Sequence, residues 1–133
     1  MTSFYTSNAG WKSEVDLLPI TNEKMDSKTN IFQISSQLPD QELFETLLQT
    51  KDILIERIIS TGQSTPPGQW YDQETDEWVI LLQGKAQLSY ENGRTVDLLP
   101  GDYLLLKAHE KHRVEATSSD PICIWLAIHF TSR

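Results

Sequence analysis

From Asp52 onward the chain consists of short apolar stretches broken by turn residues at intervals of roughly 8–12 residues, the rhythm of an all-β sandwich or barrel. The stretches are Ile53 to Ser60, Glu77 to Leu82, Ala86 to Tyr90, Thr95 to Leu98, Tyr103 to Lys107, His112 to Ala116 and Ile122 to Phe130. Glu91-Asn92-Gly93-Arg94 carries the strongest turn signal, because Asn-Gly tolerates the positive φ angles of a tight hairpin. Pro100-Gly101-Asp102 and Ser118-Ser119-Asp120-Pro121 mark two further turns. Consecutive hairpins that close on one another give a barrel, so the spacing predicts an all-β fold from Ile53 to Phe130.

At 133 residues the chain has the length of one domain, able to bury roughly two thirds of its unfolded surface. Its 11 basic and 19 acidic residues leave a net charge of −8, which argues against nucleic acid or an anionic membrane as partner and favours a small soluble molecule. No apolar run approaches the ~20 residues a membrane span requires, and no apolar segment of signal-peptide kind precedes Leu17. A cytoplasmic location is expected. The one cysteine, Cys123, has no internal disulfide partner and lies in an apolar run, so it reads as a buried packing thiol in a reducing compartment.

Residues 1–30 are rich in Thr, Ser, Asn, Lys and Glu with scattered apolar residues, a composition that does not offset its own ordering entropy. They are expected to form a mobile or loosely attached arm, with residues 31–133 as the barrel domain. Pro39-Asp40-Gln41-Glu42 then introduces Leu43, Phe44, Leu47 and Leu48 at helical spacing behind an acidic first turn, which predicts one short helix from about Asp40 to Gln49.

The polar residues that carry chemistry fall in Trp70 to Gln73, Asp76 to Gly84, and Pro100 to His112. Glu77 and His112 each open a strand close to a turn glycine, an arrangement that aims polar groups into the apolar interior of a small barrel. These residues resemble the cupin superfamily of jelly-roll barrels, whose fold is a double-stranded β-helix. The first cupin motif places two histidines one residue apart, then a glutamate after three or four residues, then a glycine after six more. Glu77 and Gly84 keep that last spacing, whereas the histidine positions hold Trp70 and Asp72 with the longer gap, or Tyr71 and Gln73 with the shorter. In the second motif Gly101 and His112 match, Lys107 and His109 replace the proline and glycine, and Ala116 replaces the terminal asparagine. The resemblance covers about Ile53 to Phe130.

In metal-binding cupins the two histidines, the glutamate and the later histidine hold a divalent ion inside the barrel. Carried over by position, the resemblance implies a metal site of Asp72, Glu77 and His112. Such an oxygen-rich set with one imidazole suits Mn²⁺, Fe²⁺, Ni²⁺ or Zn²⁺. Similar cupins act as dioxygenases, isomerases and decarboxylases, and many are dimers.

Each candidate has a plainer role beside it. Glu77 shares a face with Val79 and Leu81, where a carboxylate is costly unless paired or metal-bound; fraying at the strand's first residue would instead expose it. His112 is either a functional imidazole or a hydrogen-bonded structural one. His109 falls in a turn, where surface histidines are ordinary, and His129 sits on the Cys123, Trp125, Ala127 face, where core histidines are common. Asp72 either ligates or caps its own turn, and Trp70 and Tyr71 either stack on a ligand or plug the barrel end. Lys107, Lys111 and Arg113 form a basic group that is either a solvated face or a guide for an anionic substrate.

No nucleophile elbow, phosphate loop or nucleotide fingerprint is present. Three functions remain: a metal-dependent small-molecule enzyme, a metal-free binding module in which Trp70, Tyr71 and Trp125 enclose a ligand, or a purely structural or oligomeric protein, supported only by the apolar strands. A homodimer is expected in each case, because apolar β-formers such as Ile53, Ile55, Ile58 and Ile59 present an edge to be covered.

Overall fold

Eight strands alternate with the turns that the chain's Gly, Pro and Asn residues set up, in a computed structural model that describes residues 28–131. They are β1 (Leu43–Gln49), β2 (Ile53–Ser60), β3 (Asp76–Gln83), β4 (Ala86–Tyr90), β5 (Thr95–Leu98), β6 (Tyr103–Leu106), β7 (His112–Thr117) and β8 (Cys123–Phe130). β1, β2, β8, β3 and β6 form a five-stranded sheet in that order, and β5, β4 and β7 a three-stranded one. All pairings are antiparallel. Residues 1–27 of the expected N-terminal arm lie outside the described residues.

The two sheets enclose one core. Val79 and Leu81 from β3, Leu104 and Leu106 from β6, and Trp125 and Ala127 from β8 meet Leu88 and Tyr90 from β4, Leu98 from β5 and Val114 from β7. Alternation along each strand decides which side chains take part, since a period of two sends every second residue inward.

The helix expected from Asp40 to Gln49 is absent: residues 43–49 are β1, paired with β2, and no helix occurs among the described residues. A bulge explains the misleading spacing. The register slips between Thr46 and Leu48, so the alternation changes phase at Leu47 and its apolar residues imitate a helical repeat. No helix of the described residues is long and apolar enough to cross a membrane.

Turn chemistry follows the sequence closely. Gly93 adopts a φ of 92°, and the β4–β5 hairpin closes with Gly93 N–H donating to Tyr90 O at 2.9 Å and Tyr90 N–H donating to Arg94 O at 2.8 Å. Gly84, with a φ of 92°, answers to crowding as well: a Cβ there would lie 2.7 Å from Cys123 Sγ and 2.9 Å from its Cα. Cys123 is fully buried beneath this turn, as expected of a packing thiol.

Candidate functional site

Two acidic residues and a histidine enter the barrel through the alternation of β2, β3 and β8. On β2 the inward set is Leu54, Glu56, Ile58 and Ser60, which lie opposite His129, Ala127, Trp125 and Cys123 of β8. On the other side of β8, Glu77 lies opposite His129, Val79 opposite Ala127, and Leu81 opposite Trp125. Glu56, His129 and Glu77 therefore occupy three adjacent strands on one inner face.

The interior acids are held differently from one another. His129 Nε2–H donates to Glu56 Oε1 at 3.0 Å, with 11% and 7% of the two side chains exposed. Burial alone would lower the His129 pKa; the negative charges of Glu77 and Glu56 and the hydrogen bond to Glu56 outweigh it and hold the pKa above the ordinary value. Glu42, just ahead of β1, accepts from Ser60 Oγ–H at 2.5 Å, and Ser60 in turn accepts from Trp125 Nε1–H at 3.0 Å. The direction of this chain is fixed because an indole N–H only donates. Burial raises the Glu42 pKa, the Ser60 hydrogen bond partly opposes the rise, and the nearby Glu77 charge adds to it. Glu77 itself is 7% exposed, and its carboxylate accepts no hydrogen bond from any described residue.

The opposite wall is built by β7 and the segment before β3. His112 is buried, faces inward beside Tyr90 and Val114, and stacks on Tyr71 with ring centroids 5.4 Å apart and planes 20° from parallel. Tyr71 N–H donates to His112 O at 2.7 Å and His112 N–H to Tyr71 O at 3.2 Å, so Tyr71 extends the three-stranded sheet by one bridge. The His112 Nδ1–H donates to Glu110 O at 3.2 Å, and no described residue hydrogen-bonds its Nε2. Gln73, two residues beyond Tyr71, has an enclosed Oε1 with no hydrogen-bond partner.

The expected ligand set divides between inside and outside. Glu77 and His112 are buried in the interior, whereas Asp72 is 45% exposed and accepts from His109 Nδ1–H at 2.9 Å. Among the described residues no three His, Cys, Asp or Glu side chains are grouped so as to hold a metal ion. Trp70 lies under the Arg113 guanidinium, 5.9 Å from its ring centre, and Arg113 is occupied by Glu115 and the carbonyls of Thr65, Pro66 and Gln69. Arg113 therefore fastens a loop and is not available to steer an anion. Sequence reasoning missed Glu42 and Glu56, and it left His129 as a solitary histidine. The signal for Glu56 was present in the inward alternation of Leu54, Glu56, Ile58 and Ser60, but its partner is 73 residues away.

Comparison with known proteins fits this geometry. The model of the cupin domain matches residues 57–129. Among solved structures, a provisionally named mannose-6-phosphate isomerase from Ralstonia eutropha JMP134 is 39% identical, covering 80% of this chain and 99% of that one with a TM-score of 0.75. A cupin superfamily protein from Desulfitobacterium hafniense DCB-2 is 24% identical, covering 74% of this chain and 84% of its own, with a TM-score of 0.61. A polyketide cyclase from Streptomyces resistomycificus is 20% identical, covering 69% and 66%, with a TM-score of 0.57. At those two lower identities the likeness is one of fold. No curated protein matches the chain. The matched span runs from β2 to β8 through both sheets and takes in Glu77, Gly84, Gly101, His112 and His129; the chain belongs to the cupin family.

Proposed function

We propose that the protein binds a small molecule inside the barrel and that Glu77 engages it directly. The observation that carries this reading is the contrast among the buried and half-buried acids. Glu56 has His129, Glu42 has Ser60 and Asp76 has the Ala108 N–H at 2.8 Å, while Glu77 accepts no hydrogen bond from any described residue. The His129 charge faces Glu77 across β8 but gives it no hydrogen bond, and a bound ligand that supplies the missing donor would stabilise the buried carboxylate further. The Glu56–His129 pair beside it is able to hold or release a proton, so proton transfer to or from the bound molecule is the chemistry within reach. Isomerisation, the reaction in the Ralstonia protein's name, is chemistry of that kind. A phosphorylated sugar is a poorer match, because among the described residues no Lys or Arg is buried in the barrel to receive the phosphate.

A divalent ion is the competing reading, favoured by the burial of Glu77 and His112 at the positions where metal-binding cupins carry ligands. Elemental analysis of protein purified without chelator or affinity tag separates the two, with no stoichiometric metal expected. A thermal-shift screen of small metabolites against the wild type and Glu77→Gln tests the ligand reading. Compounds that stabilise the wild type should lose most of that effect in the variant while its far-UV circular dichroism is unchanged. Hits that stabilise both proteins equally would remove Glu77 from the site.

A further inference from the structure

The hydrogen-bonding inventory of the interior is one-sided. Three of its donors are committed: Trp125 Nε1–H to Ser60, Ser60 Oγ–H to Glu42, and His129 Nε2–H to Glu56. Its acceptors are not. The Glu77 carboxylate has no donor among the described residues, Gln73 Oε1 is enclosed without one, and no described residue hydrogen-bonds His112 Nε2. Charge is as unbalanced as hydrogen bonding, since even with His129 protonated the carboxylates of Glu56 and Glu77 face a single positive charge.

We infer that the ligand of this barrel is a small organic cation, a molecule carrying a protonated amine whose N–H groups meet Glu77, Gln73 and His112. The inference rests on the proposal that the ligand sits in the barrel and adds its chemical class. An ammonium group provides three donors on a compact positive charge, which answers both deficits at once. A neutral polyol supplies donors without charge, and an anion supplies neither. Gln73 is the independent observation: an amide oxygen enclosed without a partner is costly in the free protein, and its position ahead of β3 places it on the segment that lines His112.

Isothermal titration of the full chain with putrescine, butanediol and succinate tests this directly, because the three share a four-carbon skeleton and differ in head-group charge. Putrescine should bind at one site, with butanediol and succinate at least about tenfold weaker. Glu77→Gln keeps the shape and removes the charge, and should weaken putrescine by about tenfold or more. Gln73→Leu provides a second variant should Glu77→Gln fold poorly, and should weaken putrescine severalfold with the fold intact by circular dichroism. Mn²⁺ and Zn²⁺ are titrated alone as controls. Butanediol or succinate binding as tightly as putrescine, and losing affinity in Glu77→Gln, overturns the cation while leaving the barrel ligand in place. Failure of putrescine to bind at millimolar concentration, or stoichiometric metal binding tighter than that of putrescine, also overturns it. Unchanged putrescine affinity in both variants overturns the cation and the barrel site together.

Discussion

His129 links the interior site to the stability of the fold through its proton. Its folded pKa lies above the ordinary histidine value of 6.5 because Glu77 and Glu56 outweigh the effect of burial. A group raised in this way stabilises the fold fully below its unfolded pKa, and the contribution disappears as pH rises through the folded value. Glu42 acts in the same direction from a lower starting point, the ordinary carboxylate value of 4.5, because burial raises it too. The thermal midpoint should therefore fall as pH is raised from about 6.5 through the folded His129 pKa. His129→Gln should flatten that part of the profile and leave the more acidic slope. His109 is the control, since its hydrogen bond to Asp72 also raises its pKa at an exposed position. A slope that survives His129→Gln and vanishes in His109→Asn would move the effect from the barrel interior to the surface pair.

The elements of this barrel depend on a few tight turns, and Gly84 at the end of β3 is the most constrained. A side chain there would meet the Cys123 backbone and sulfur and would require a positive φ. Gly84→Ala should cost roughly 2–4 kcal/mol from strain and overpacking together, measured by urea unfolding. A loss below the usual range of surface substitutions would show that the β3–β4 turn relaxes freely. Turns of this kind made most elements legible in the sequence: Asn92-Gly93 and Pro100-Gly101 fall where they were expected, and the strand limits from β2 onward agree to within a residue or two. β1 was not legible, because one bulge residue, Leu47, converts a period of two into an apparent helical spacing. The site divides along the same line. Glu77 and His112 were readable from local motifs, whereas the Glu56–His129 and Glu42–Ser60 pairs are made by strand order, which local spacing does not encode.

At the scale of the whole molecule, much of the exposed apolar surface of the described residues lies on the five-stranded sheet. The expected edge of Ile53, Ile55, Ile58 and Ile59 does not exist in that form, because β2 lies between β1 and β8 and both Ile58 and Ile59 are buried. Exposed apolar side chains remain at both edges of that sheet: Phe44, Leu47 and Leu48 on β1 with Ile53 near them, and, as a strip at the other edge, Tyr103 and Leu105 on β6 with Trp78 tilted against Tyr103 at 5.4 Å and Ile80 beside them on β3. This strip carries no charge on a chain whose net charge is −8. Two such acidic chains repel over most of their surfaces, so an uncharged apolar strip is where a second copy approaches at least electrostatic cost. A homodimer packed through this face is the expected state. Light scattering at tens of micromolar should give twice the mass of the chain, and Leu105→Arg should return it to a monomer, because the variant buries an unpaired cation at the contact without touching the core. A wild type that stays monomeric, or a Leu105→Arg protein that still pairs, would place the dimer elsewhere or exclude it.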